Sequence, residues 1–186
     1  MTEHHAFWIS YSAWILMEVW IFSRDRRAAS GEKKDRGSVF FISATISIGQ
    51  TLAFYAPHLW PWAHIPAPVF WPGVALVWAG IALRIWAVLT LGKHFRTAVR
   101  ILDDHTLVTS GPYRVLRHPS YTGDLIAVAG IGLMLGNALS LAAAFGGIFI
   151  GYAVRIMIEE AALAERFGDA FTAHKKRTWA VLPPVW

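Results

Sequence analysis

Long apolar runs separated by short, basic loops constrain this chain more than any other feature. A bilayer-spanning helix needs about 20 predominantly apolar residues. Ala6–Phe22 is a first such run and contains Glu18. Val39–Tyr55 is a second and has no charged side chain. Val69–Leu91 is a third and carries Arg84. Tyr121–Leu135 and Ala138–Ile158 read as the two arms of a helical hairpin turning at Gly136-Asn137. The first arm is short for a full crossing, so it tilts or stops partway. Glu159–His174 reads as an amphipathic helix beyond the membrane. The expected fold is therefore all-α: an integral membrane bundle of about five transmembrane helices, with a C-terminal cytoplasmic amphipathic helix. The 186 residues form one membrane domain, with three spans in residues 1–90 and the motif-bearing region in residues 91–186.

The loops orient this bundle. Arg24–Arg36, Gly92–Ser120 and the tail after Glu159 hold 15 of the 17 Lys and Arg residues; the others are Arg84 and Arg155. Five spans place all three segments on one side. Basic loops stay cytoplasmic, which puts the N-terminus outside. The net charge of +5 therefore reports membrane topology and not nucleic-acid binding. Ten Trp residues suit aromatic belts at the two interfaces. The first run is not read as a signal peptide, because its basic residues follow it. With no Cys, thiolate chemistry and cysteine metal sites are excluded. HExxH, P-loop and serine-elbow patterns are absent, and the terminal His4-His5 pair does not suggest a metal site.

Two polar clusters interrupt the apolar pattern. Gly111 to Gly123 reads GPYRVLRHPSYTG. Gly111-Pro112 signals a turn. Pro119 suits a first helical turn and keeps His118 non-helical. A loop thus delivers Arg117, His118 and Tyr121 to the start of the fourth span. Such residues also occur at any basic, aromatic membrane boundary. In the second cluster, Arg155 and Glu159 are four apart on one helix face, while Glu160 points elsewhere. They form either a simple i,i+4 ion pair or a site holding two charged ends of a ligand. Arg84, and more weakly Asp124, should face the bundle interior or reach an interface. The glycines of Gly130-Ile-Gly132 and Gly146-Gly147 read as helix-packing residues.

LVTSGPYRVLRHPSYTG followed by RIMIEEAALAERFGDAFTAHKKRT resembles the isoprenylcysteine carboxyl methyltransferase family of integral membrane enzymes. The turn, the RHPxY run, the RxxxEE run and the following Phe-Gly occur in order. The resemblance covers Leu91 to Trp186; residues 1–90 match only as apolar spans. Related phospholipid methyltransferases share a similar C-terminal half. The resemblance implies S-adenosylmethionine as methyl donor, in a pocket built by the last two helices and their loops. Its cofactor contacts would be His105, Thr106, Leu107, Val108, Tyr113, His118, Pro119, Ser120, Tyr121 and Glu159. Arg155 matches the arginine that meets the substrate carboxylate, so Arg155 and Glu159 are the implied catalytic pair.

That assignment is chemically coherent. A carboxylate is ionised at neutral pH, so its attack on a sulfonium methyl needs no general base. Positioning supplies the catalysis, up to roughly 7–11 kcal/mol in ideal cases. Arg155 offers a planar fork for a carboxylate. Glu159 can take an ammonium. Tyr113 and Tyr121 can stack on adenine or face the sulfonium. The implied partner is an isoprenylated cysteine or similar lipophilic acid entering from the bilayer, with no metal and no nucleic acid. The short chain resembles prokaryotic members, implying an inner-membrane location with the site on the cytoplasmic side. The rival activity is phospholipid amine N-methylation, which wants a base. A scaffold or small transporter would instead be expected to carry midplane polar residues or broken helices.

Overall fold

The computed structural model describes residues 2–27, 32–33, 37–92, 100–101 and 107–184. Its six helices are α1 (Glu3–Arg27), α2 (Ser38–Leu59), α3 (Phe70–Leu91), α4 (Pro119–Met134), α5 (Ala138–Phe167) and α6 (Asp169–Lys175). Among the described residues, four segments are long and apolar enough to cross a membrane: Glu3–Arg24, Val39–Leu59, Phe70–Leu91 and Ala138–Phe167. The fifth helix of the bundle, α4, has 16 residues. At about 1.5 Å per residue it is about 24 Å long, short of the ~30 Å hydrocarbon core. The protein is thus an all-helical integral membrane bundle in which α4 does not span alone.

Two ends of the bundle are defined by contacts between loops. At one end, the Ile65 amide donates to the Gly136 carbonyl at 2.9 Å, and Asn137 Nδ2 donates to the Trp60 carbonyl at 2.9 Å. Asn137 also caps α5, accepting from the amides of Leu139 (2.9 Å) and Ser140 (3.2 Å). At the other end, a two-residue antiparallel pair, β1 (Glu32–Lys33) and β2 (Arg100–Ile101), joins the loops after α1 and α3. The basic loops therefore meet on one side, and the hairpin turn meets the Trp- and Pro-rich loop on the opposite side.

Glycine lets α3 and α4 touch backbone to backbone. A Cβ placed on Gly123 would lie 2.7 Å from both the Arg84 amide and the Gly80 carbonyl. Between α2 and α5, a Cβ on Gly147 would lie 2.6 Å from the Thr45 carbonyl. Small residues permit such close approach in membrane bundles. The buried core gathers Trp14, Ile21, Val77, Leu125, Ile131 and Ile148 from four of the helices. Large apolar side chains such as Phe40 and Trp62 are exposed, as lipid-facing or interfacial positions require.

The helices depart from the expected limits in two places. The first concerns α2, which continues through Pro57 to Leu59, beyond the Tyr55 end of the expected span. Proline removes the donor that would serve the Ala53 carbonyl. The Ser140 hydroxyl donates to that carbonyl instead, at 2.7 Å. The second is the C-terminal end of the bundle. No separate amphipathic helix covers Glu159–His174: α5 runs unbroken to Phe167, and only seven-residue α6 follows. Nothing after Ile158 breaks a helix until Gly168, which takes φ 50. Arg155, Glu159 and Glu160 consequently share one rigid element.

Candidate active site

The Gly-Pro turn builds one wall of the site. Gly111–Arg114 forms a 3₁₀ turn with Gly111 at φ 57 and with Pro112 and Tyr113 buried. His118 has non-helical dihedrals, φ −127 and ψ 57, and Pro119 starts α4. The amides of Arg117 and His118 donate to the carbonyls of Trp179 (2.8 Å) and Ala180 (3.0 Å). The Trp179 amide donates back to the Val115 carbonyl at 3.0 Å, and the Thr122 hydroxyl donates to the Val181 carbonyl at 2.8 Å. The C-terminal segment thus lies parallel to Val115–His118 and is buried at Ala180 and Val181.

The end of α5 builds the facing wall. Arg155 lies 17 residues beyond Ala138 and Glu159 lies 21, which is about 26 and 32 Å along the axis. These positions bracket the far edge of a ~30 Å apolar layer. The Tyr121 hydroxyl donates to Glu159 Oε2 at 2.6 Å. Arg155 Nε donates to the Tyr121 oxygen at 3.3 Å and stands 4.0 Å from Glu159 Oε2. His118 Nδ1 is also 4.0 Å from Glu159 Oε2. The RHPxY and RxxxEE motifs, nearly 40 residues apart in sequence, therefore meet through four side chains. Arg155 is 2 % exposed, whereas the Glu159 side chain is 32 % exposed.

Glu160, expected to point away, also faces this junction. Its Oε1 meets Arg117 Nε at 2.7 Å and His118 Nε2 at 3.3 Å, and its Oε2 meets Lys175 Nζ at 2.5 Å. Arg117 Nη1 donates in turn to the carbonyls of Lys175 (3.2 Å) and Thr178. One carboxylate thus ties together α5, α6, the tail and the approach to α4.

A buried ionic cluster backs the site. Arg84 faces the bundle interior. Its Nε and Nη2 meet the two oxygens of Glu18 at 2.6 and 2.8 Å. Its Nη1 donates to the Ser120 carbonyl at 3.0 Å and to the Tyr152 hydroxyl at 3.3 Å, and lies 3.5 Å from Asp124 Oδ2. Trp14 Nε1 donates to Asp124 Oδ1 at 2.7 Å, and the Tyr152 hydroxyl donates to Oδ2. The Tyr152 ring stacks on Tyr121 at 4.4 Å between centroids, and Tyr121 stacks on His118 at 5.5 Å. The two clusters therefore form one continuous polar layer. Glu18 and Tyr152 were not identified from sequence as part of it, although an acid in one span and a base in another are a signal for pairing.

The remaining expected site residues are placed less centrally. Leu107 and Val108 are half-buried in a stretch without regular structure. His105 and Thr106 lie outside the described residues. Tyr113 sends its hydroxyl to the Ala87 carbonyl at 3.4 Å, and burial holds its phenol well above the usual range, so it stays a neutral donor. Pro119 initiates α4, and Ser120 serves Arg84. The Tyr121 ring is already stacked against two neighbours, which leaves its hydroxyl as its functional end. Among the described residues, no cluster of His, Asp and Glu could hold a metal.

A cavity of about 180 Å³ opens against this layer. Glu18, Arg84, Tyr121, Tyr152 and Arg155 form its polar end, and Ile21, Phe22, Val39, Ile42 and Ile46 from α1 and α2 form its apolar wall. An amphiphile with one charged terminus matches that division.

Comparison with known proteins finds related sequences. Residues 73–165 match the family model described as the isoprenylcysteine carboxyl methyltransferase (ICMT) family. A probable protein-S-isoprenylcysteine O-methyltransferase of Oryza sativa subsp. indica is 36% identical over 117 residues, covering 62% of this chain and 61% of the rice protein. Protein-S-isoprenylcysteine O-methyltransferase B of Arabidopsis thaliana is 33% identical over 135 residues, covering 66% and 68%. The Homo sapiens protein-S-isoprenylcysteine O-methyltransferase is 34% identical over 128 residues, covering 62% and 45%. The chain therefore matches about three fifths of the rice protein and less than half of the human one. A solved structure of the eukaryotic intramembrane Ras methyltransferase ICMT superposes with a TM-score of 0.64 at 27% identity, covering 77% of this chain and 52% of that one.

Proposed function

This chain belongs to the isoprenylcysteine carboxyl methyltransferase family, and from that starting point we propose that it methyl-esterifies the carboxylate of an isoprenylated cysteine or similar lipophilic acid, using S-adenosylmethionine. The observation that carries this reading is the contact of Tyr121 with both Glu159 and Arg155, at 2.6 and 3.3 Å, where Tyr121 and Arg155 line the polar end of an apolar-walled cavity. One anion-binding group and one cation-binding group stand side by side there, as a carboxylate acceptor and a cationic donor require.

The residues fit the methyl donor by their chemistry. Glu159 is an accessible carboxylate suited to its amino group, and His118, Ser120 and Tyr121 border the same junction. When bound, S-adenosylmethionine supplies an electrophilic methyl on a sulfonium. The protein's own part is to bind and orient. Arg155 presents its fork to the acceptor carboxylate, which is already ionised and needs no base. The Tyr121 hydroxyl, held by Tyr152 stacking, fixes Arg155 and Glu159 relative to each other. The α1–α2 wall excludes water from the acceptor's chain and from the reacting oxygen. A phospholipid amine would have to lose a proton before attack, and a guanidinium is a poor base.

The site lies at the end bearing the basic loops, and the positive-inside tendency of such loops supports a cytoplasmic orientation for it. The relatives compared are eukaryotic, so the expected prokaryotic inner membrane drops out of the proposal and only the orientation is kept.

Radiolabelled methyl transfer from S-adenosylmethionine to N-acetyl-S-farnesylcysteine tests this reading. Label that is released by alkali identifies an ester. Label transferred to phosphatidylethanolamine and stable in alkali would instead identify amine methylation.

A further inference from the structure

Glu160 has no part in the reading above, yet it is one of the most connected side chains in the site. Its carboxylate receives Arg117, His118 and Lys175 at 2.7, 3.3 and 2.5 Å. An ionised carboxylate only accepts hydrogen bonds. The nitrogen of His118 that faces it must therefore carry the proton, and that nitrogen is Nε2. A neutral imidazole has one donor and one acceptor nitrogen. Nδ1 is then the acceptor, and it points towards Glu159, 4.0 Å from Oε2. That separation is too long for a hydrogen bond between them. It is short enough for one nitrogen to lie about 2.9 Å from both.

The surroundings hold the ring in this pose. His118 is buried, its ring stacks on Tyr121, and its amide is fixed by Ala180. The charged and titratable groups around it are Arg117 beside it in sequence, Glu159 and Glu160 from α5, Tyr121 from α4, and Lys175 and His174 from α6.

We propose that Glu160 is a positioning residue: it fixes His118 as the Nε2–H tautomer, so that His118 Nδ1 and Glu159 together form the acceptor pair for the ammonium end of the methyl donor. This rests on the methyl-donor reading of the site. It also gives adjacent glutamates different work. Glu159 touches the ligand, and Glu160 acts through the imidazole.

Two measurements test it. The first uses protein labelled with ¹⁵N-histidine, with the His118 signals identified by their loss in His118→Asn. Ligand-free wild type should show a protonated Nε2 and an unprotonated Nδ1, and Glu160→Leu should lose that pattern. A protonated Nδ1 in wild type, or an unchanged pattern in Glu160→Leu, overturns the proposal. The second is calorimetry with S-adenosylhomocysteine and with its analogue lacking the α-amino group. Wild type should prefer the aminated ligand by at least tenfold. Glu160→Leu should lose most of that preference while binding the deaminated analogue as wild type does, and Glu160→Gln, whose carbonyl can still accept from Nε2–H, should keep more of it than Glu160→Leu. Lys175→Ala, which loosens the tail but leaves His118 facing Glu160, should keep the preference within twofold. An equal loss in Lys175→Ala would mean that Glu160 acts through the tail and would overturn the assignment. If wild type binds neither ligand, the donor reading fails, and the tautomer measurement still decides the role of Glu160.

Discussion

Tyr121 donates its hydroxyl to Glu159 at 2.6 Å while accepting from Arg155 at 3.3 Å, so one phenol spans the two charges of the proposed ligand-binding pair. Tyr121→Phe keeps the ring contacts with His118 and Tyr152 and removes only that link. A hydrogen bond to a charged group is worth about 1.5–3 kcal/mol, or about 10- to 100-fold. The expected result is a 10- to 100-fold fall in kcat/KM at nearly unchanged thermal stability. Wild-type kinetics in the variant would remove Tyr121 from the proposed machinery.

Arg155 is assigned to the acceptor and not to the donor. Arg155→Ala should lower methyl transfer at least 1,000-fold while shifting donor affinity less than tenfold, measured by calorimetry on the same preparation. Arg155→Lys should recover little, because an ammonium lacks the planar fork. Loss of donor binding with intact acceptor binding would reverse the two ends of the site.

The Glu18–Arg84 pair is the main ionic link from α1 to the polar layer. Arg84 is buried but the Glu18 side chain is 30% exposed, so the cost of about 3–5 kcal/mol for breaking a fully buried pair is an upper bound, set by the stranded Arg84 charge. Glu18→Ala and Arg84→Met should each lower the detergent-solubilised Tm. The Glu18→Gln/Arg84→Gln double variant should lose less than the sum of its single substitutions. Strict additivity in that cycle would show that the two side chains do not couple.

Gly123→Ala places a Cβ 2.7 Å from the backbone of α3 at Gly80 and Arg84. Backbone cannot move aside as a flexible side chain can, so the helices must separate. A lower Tm together with reduced transfer is expected, since Arg84 would leave Ser120. Gly136→Ala meets no nearby atom but sits at φ 63, so it should cost stability through backbone strain without the same effect on transfer. Equal activity losses in the two variants would sink the packing argument.

His174 lies outside the spans, and burial together with the nearby Arg117 charge holds its imidazole below the usual value. The folded state therefore favours the neutral ring. Its contribution to stability is complete above the ordinary histidine value of about 6.5 and is lost as pH falls below that. Limited proteolysis after Lys175 should accelerate as pH falls below about 6.5, and His174→Gln should flatten that dependence. A pH-independent cleavage rate in wild type would contradict it.

The helices and the meeting of the two motifs were legible in the sequence, for different reasons. Apolar runs report spans directly, because hydrocarbon admits few alternatives to helix. The meeting of the motifs was legible because RHPxY and RxxxEE stand at chain positions that a hairpin brings to one end. The partners of Glu18 were not legible. The rotation of α1 about its axis decides what Glu18 meets, and a helix apolar on most sides carries little rotational signal. Glu160 was misread because helix geometry separates it from Arg155 and Glu159, while its partners come from α6 and the residue before His118. The parallel docking of Trp179 on Leu116 has no local signature at all. α5 ends later than the change in polarity at Glu159 predicts, because no helix breaker precedes Gly168.

The strand-like docking of Trp179–Val181 beside Val115–His118 has a consequence for biogenesis. These residues leave the ribosome only after all five bundle helices have been delivered to the bilayer. Until then the backbone of Arg117 and His118 lacks its partners and Glu160 lacks Lys175. A nascent bundle can thus be inserted and still hold an unfinished pocket, and a nonsense mutation before Thr178 would yield membrane-embedded but inactive protein.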